Sequence, residues 1–136
     1  MMRSSFVFCL ICLPSLAFAG SAKEVYKKAA PGVVLILGAD GNVGGSGGTG
    51  SLITEEGHIL TNAHVVINSA GKPFKKLYVY LKPKRITGDN KTDLKRRYSA
   101  TVVGFSPAEE LDLAVLKLSR GPNGLPIIPL AESAGV

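Results

Sequence analysis

Gly50-Ser-Leu-Ile-Thr-Glu-Glu-Gly-His-Ile-Leu-Thr-Asn-Ala-His-Val-Val66 is the stretch from which the rest of the chain is read. Thr49 to Thr54 is strand-like, Glu55-Glu-Gly57 is a turn, and His58-Ile-Leu-Thr61 is a returning strand, so the stretch predicts a β-hairpin. Thr61-Asn-Ala-His-Val65 follows the second strand directly. A histidine at a strand end is held by backbone and can present its ring at a domain edge, and an unperturbed imidazole suits general-base work. Alone, such a histidine is more often structural or idle than catalytic.

Working outward, Ser21-Ala-Lys-Glu24 is a capping box that predicts a short helix over about 22–30, stopped by Pro31-Gly32. Val33-Val-Leu-Ile-Leu37 is a continuous apolar run and predicts a strand buried on both faces. Seven glycines lie between Gly38 and Gly50 (38, 41, 44, 45, 47, 48 and 50) and predict a flexible connection into the hairpin. Lys76 to Leu81, Ser99 to Phe105 and Leu111 to Leu118 are further strands, the last with its apolar residues at Leu113, Val115-Leu116 and Leu118. Gly121-Pro-Asn-Gly124 is a turn, and Leu125 to Leu130 is extended with no strand left to pair. About six short strands with turn signals between them indicate an all-β domain, a small barrel or a sandwich.

Composition agrees. A chain of 136 residues fits one small domain, and 46% hydrophobic content excludes a disordered protein. Sixteen Gly and eight Pro argue against a helix bundle. Cys9 and Cys12 are too close together for a disulfide framework, and with two His and no further Cys they make no zinc site. No metal or cofactor is expected.

Residues 1–19 read as a secretory signal peptide: Arg3, the apolar run Phe6 to Leu13, the breaker Pro14, and an A-x-A site at Ala17-Phe-Ala19. The alternative is an uncleaved membrane anchor, although the run is short for a bilayer span. Cleavage after Ala19 leaves residues 20–136 as an exported domain, periplasmic or extracellular, without cysteine.

A second candidate group is Asp112, in Leu111-Asp-Leu-Ala-Val-Leu116. A carboxylate entering an apolar strand calls for a partner, although a solvated strand-start Asp is the plain alternative. Such a carboxylate can accept from a histidine Nδ1–H, fixing its tautomer. Gly44-Gly-Ser-Gly-Gly48 places Ser46 in a glycine setting that mimics a nucleophile motif, but it precedes the histidine, and a mobile loop holds no fixed geometry. His58, mid-hairpin, reads as a solvent-facing cross-strand residue. Ten basic residues fall between Lys72 and Arg97, opposed there only by Asp89 and Asp93. This segment reads as a solvated polar hairpin loop or as an anionic-surface contact; Tyr78, Tyr80 and Tyr98 beside it read as barrel packing, and no nucleic-acid motif accompanies it.

Taken together, Gly50 to Val66 resembles the hairpin leading to the catalytic His of trypsin-like serine proteases of the HtrA/Deg type. Ala100 to Leu118 resembles that family's strand pair carrying the catalytic Asp, Leu125-Pro-Ile-Ile-Pro-Leu130 the segment that follows, and Glu24 to Ala30 with Pro31-Gly-Val-Val34 the entry to its barrel. The resemblance implies two β-barrels with the active site between them. Residues 20–136 would then be the first, a single antiparallel barrel of about six strands with a short N-terminal helix. It implies endopeptidase chemistry on polypeptide substrates, with His64 as base and Asp112 as its orienter. The family's G-[DN]-S-G-G nucleophile motif does not occur downstream of Asp112, so the nucleophile Ser and oxyanion hole are absent from these residues. Two expectations follow. One is a peptidase represented by its first barrel only, truncated and inactive as given, with self-association through its uncovered face. The other is a non-catalytic single-barrel module that binds a protein or an anionic surface through residues 72–97.

Overall fold

A computed structural model describes residues 21–41 and 44–131; the signal peptide expected at 1–19 lies outside them. Ser21 caps helix α1 (Ala22–Ala29), its hydroxyl accepting from the Glu24 amide, and a 3₁₀ turn at Ala30–Gly32 leads into strand β1 (Val33–Ala39). Then follow β2 (Gly45–Leu52), β3 (His58–Thr61), helix α2 (Ala63–Val66), β4 (Lys76–Leu81), helix α3 (Asn90–Asp93), β5 (Arg97–Ser106) and β6 (Leu113–Leu118). The strands close an antiparallel barrel in the order β1-β2-β3-β6-β5-β4, with β4 pairing back to β1. The expected single barrel with a short N-terminal helix is what the chain forms.

The interior is set by period-two alternation. Val34 and Ile36 of β1, Leu52, Ile59, Val79 and Leu116 are at most 1% exposed. Thr61 is a buried polar residue, and its hydroxyl donates to the Thr49 carbonyl at 2.7 Å. In β5 a register shift between Val102 and Gly104 leaves Val103 outside, and a bulge of this kind bends the strand where it enters the connection to β6.

Three sequence expectations are corrected, and the phase of β6 is fixed. β1 is buried on one face only: Val33 is exposed while Val34 and Ile36 are interior, because a closed barrel has one inside. The glycine-rich segment is not a flexible connection. From Gly45 onward it is β2, paired residue by residue with β1 from Val33↔Ser51 to Ala39↔Gly45. In β6 the interior phase is Ala114, Leu116 and Leu118, and Leu113 faces out. The 125–130 end is extended but not loose. Leu125 is in the core, and the Ile128 amide donates to the Leu52 carbonyl at 2.8 Å.

The glycines of β2 have a packing reason. A Cβ at Gly48 would lie 2.5 Å from Val65 Cγ2, and one at Gly50 would lie 2.7 Å from Ile59 Cγ2 and 2.8 Å from Ile36 Cδ1. The bare backbone at 48 is thus the seat for Val65 of α2. Gly48→Ala is expected to lower unfolding free energy by about 1–3 kcal/mol through overpacking. Val65→Ala in the same chain should recover part of that loss, measured by denaturant unfolding. A Gly48→Ala variant as stable as the parent, or no coupling to position 65, would contradict the packing role.

Candidate functional site

Antiparallel alternation sends the end of β1 with the start of β2, and the 62–75 and 107–112 connections, to one end of the barrel. α2 opens the 62–75 connection. Three of its four residues, Ala63, Val65 and Val66, are at most 4% exposed. They fix the turn in the core, so the fourth, His64, points outward with its side chain 63% exposed. Farther along, Asp40 accepts from the Lys75 amide at 2.7 Å and from Asn68 Nδ2 at 2.6 Å, tying this connection to the β1–β2 turn.

Asp112 ends the 107–112 connection. Its φ is +49°, the one positive φ at a non-glycine among the described residues. A left-handed conformation costs an L residue ~1–2 kcal/mol, and an Asp with local hydrogen bonds tolerates it best. Those bonds are present. Oδ1 accepts from the His64 backbone amide at 3.0 Å, and Oδ2 meets His64 Nδ1 at 2.7 Å. Asn62 Nδ2 donates to Oδ2 at 3.3 Å and to the Asp112 carbonyl at 3.1 Å, and that carbonyl also accepts from the Ala63 amide at 3.2 Å. The Asp112 amide in turn donates to the Pro107 carbonyl at 3.0 Å.

The electrostatics follow from these donors. The His64 backbone N–H, then the His64 ring, hold the Asp112 carboxyl below the usual carboxylate range; partial burial opposes them, and the His64 charge and the Asn62 amide add to the lowering. An ionised carboxylate can only accept, so in the neutral ring Nδ1 carries the hydrogen and Nε2 keeps its lone pair. Beside the ring is a cleft of about 510 Å³, walled by Ile67, Phe105, Pro107 and Ala108, with Asn68, Ser69 and Glu109 at its polar side. The arrangement can take up a proton at Nε2 while Asp112 balances the charge that appears on the ring.

His64 and Asp112, 48 residues apart in sequence, are thus brought together. Ser46 is not part of this site: it sits in β2 opposite Gly38 and makes no hydrogen bond to His64. His58 lies in β3 opposite Lys117, and its Nδ1 and the Thr54 hydroxyl are 2.8 Å apart. It is half-buried and closes the hairpin turn rather than facing solvent. Asn62 was not singled out from sequence; an amide side chain just before the histidine turn was its only signal. The cleft walls at 105–109 carry no sequence signal, because they meet α2 only through the fold. Among the described residues, no group of three or more His, Cys, Asp or Glu is arranged to hold a metal.

The family model described as "Trypsin-like peptidase domain" matches residues 48–136. Solved structures match as well. A serine endoprotease from Yersinia pestis is 28% identical, with a TM-score of 0.57 over 80% of this chain and 32% of that one. The HtrA-type protease AlgW with tripeptide is 30% identical, with a TM-score of 0.58 over 84% of this chain and 31% of that one, and its S227A form matches equally. This chain therefore spans about a third of the length of those solved chains. No curated protein matches.

Two measurements check the site. Nitrogen-15 spectra at neutral pH should show the His64 hydrogen on Nδ1. In Asp112→Asn the amide can offer a donor to Nδ1, and the hydrogen should move to Nε2; an Nε2–H tautomer in the parent chain contradicts the geometry. Stability should also depend on acid. A carboxyl whose folded pKa is depressed contributes fully above its unfolded value, about 3.9, and loses that contribution as pH falls through the folded value. The stability gap between the parent and Asp112→Asn should therefore narrow as pH falls below about 4. A gap that widens in acid would have the wrong sign.

Proposed function

Because the chain belongs to the trypsin-like peptidase domain family, we propose that it supplies the base and the orienter of a serine endopeptidase site. The observation that carries this is the Asp112 carboxylate accepting from both the backbone and the ring of His64, which leaves Nε2 free at the cleft. In this reading Nε2 takes the proton of a serine hydroxyl as its oxygen attacks the scissile carbonyl. It then returns the proton to the leaving amine. Asp112 holds the ring in the reactive tautomer and stabilises the imidazolium without itself taking the proton.

The serine and the oxyanion donors are assigned to polypeptide outside these 136 residues, since the G-[DN]-S-G-G motif is not among them. The substrate class is a polypeptide. The match to the trypsin-like peptidase domain and the HtrA-type proteases among the structural neighbours support that class, and a role in protein quality control belongs to the same proposal. The signal peptide expected at residues 1–19 supports action outside the cytoplasm, in a periplasm or extracellular space.

The test is a chimera in which residues 21–131 replace the corresponding barrel of the HtrA-type protease AlgW. The chimera should hydrolyse a peptide substrate, lose that activity with His64→Ala, and drop by about 10⁴-fold in kcat with Asp112→Asn. The 136-residue chain alone should be inactive. A folded chimera whose activity is indifferent to His64 would overturn the assignment, and so would His64-dependent hydrolysis by the chain alone.

A further inference from the structure

The strand directions leave α1 and the 82–96 connection at the end of the barrel opposite His64 and Asp112. A groove of about 560 Å³ opens there, lined by Val25 and Tyr26 of α1, Val33 of β1, and Lys82, Ile86 and Leu94 of the β4–β5 connection. Its apolar side chains are in water: Val25 is 59% exposed, Tyr26 61% and Ile86 66%. α1 buries none of its residues, although its apolar positions share one side.

Cations outnumber acids at this end of the barrel, where Lys82 lines the groove together with Asp93 and α1 also carries Glu24. Lys23, Lys27 and Lys28 lie on α1, and Lys82, Lys84, Arg85, Lys91, Lys95 and Arg96 on the connection. The two acids of that connection are used inside it. Asp93 accepts from the Thr87 and Gly88 amides, and Asp89 caps α3 through the Lys91 and Thr92 amides. Among the described residues none of these cations forms an ion pair with a carboxylate. Lys82 Nζ instead donates to the Tyr26 hydroxyl at 2.8 Å and sits over a ring, 4.5 Å from the Tyr26 centroid.

An anionic polymer in solution would use the cations and leave the apolar groove wet. An apolar partner surface would bury the groove and strand the cations. An anionic amphiphile meets both, with acyl chains against the groove and phosphates beside the cations. We propose that this end of the barrel docks on a bilayer containing anionic phospholipid. Val25, Tyr26, Ile86 and Leu94 enter the interface, the lysines and arginines at this end meet the headgroups, and the His64–Asp112 end faces away from the membrane.

The chain contains no Trp, so Ile86→Trp gives a single fluorescent reporter, and Phe105→Trp gives a control at the opposite end. With phosphatidylcholine vesicles containing phosphatidylglycerol, emission from position 86 should shift to the blue, and emission from position 105 should not. This contrast separates docking by this surface from attachment through residues 1–19, which both reporters share. Affinity should fall at least tenfold in pure phosphatidylcholine, at high salt, and when Lys84→Glu, Arg85→Glu and Lys91→Glu are combined. All three of those side chains are exposed, so the thermal midpoint should hold. An equal shift with neutral vesicles, indifference to the charge reversal, a shift at position 105 instead, or the same shift from inorganic phosphate or a DNA oligonucleotide would each overturn the proposal.

Discussion

The Asp112 carboxylate holds two connections of the barrel in one geometry. It takes both the backbone and the ring N–H of His64, and its own carbonyl takes the Ala63 N–H. One strained residue thereby joins the β3–β4 connection to the β5–β6 connection. The strain and the bonds explain each other: the positive φ is tolerated because the donors are there, and they converge because the backbone turns that way. Everything chemical about the site, from the tautomer of His64 to the availability of Nε2, descends from this clamp.

The clamp works because α2 has a fixed seat. His64 is exposed, and an exposed side chain carries little positional information of its own. Its position comes from Ala63, Val65 and Val66, which are in the core, and from Gly48, whose missing side chain makes room for Val65. The glycine-rich strand is thus part of the site at one remove. The same alternation that gathers His64, Asp112 and the cleft at one end collects α1 and most of the basic residues at the other. The barrel is chemically two-ended: the hydrogen-bonded His64–Asp112 pair faces one way, and a basic, partly apolar surface faces the other.

Much of this was legible in the sequence, and the failures have physical causes. The hairpin at 49–61 and the strand at 76–81 were legible because turn residues and alternation agree there. His64 and Asp112 were legible as a pair through their order and flanking residues. β2 was misread because glycine's intrinsic preference points to a loop, whereas here close approach of Val65, Ile59 and Ile36 selects it inside a strand. The 125–130 end looked unpaired because its partners, Leu52 and the core around Leu125, are distant in sequence. Asn62 and the walls of the cleft were missed because their roles exist only once α2 and the β5–β6 connection meet.

The central claim is the grip of Asp112 on His64, and hydrogen exchange of the His64 backbone amide tests it most directly. The side chain is exposed and the residue lies in a one-turn helix, so without Asp112 this amide has little reason to be protected. The account predicts clear protection at neutral pH that disappears in Asp112→Ala, while amides of β4 stay protected. Exchange of the His64 amide at the unprotected rate in the parent chain, or protection unchanged by Asp112→Ala, would contradict it.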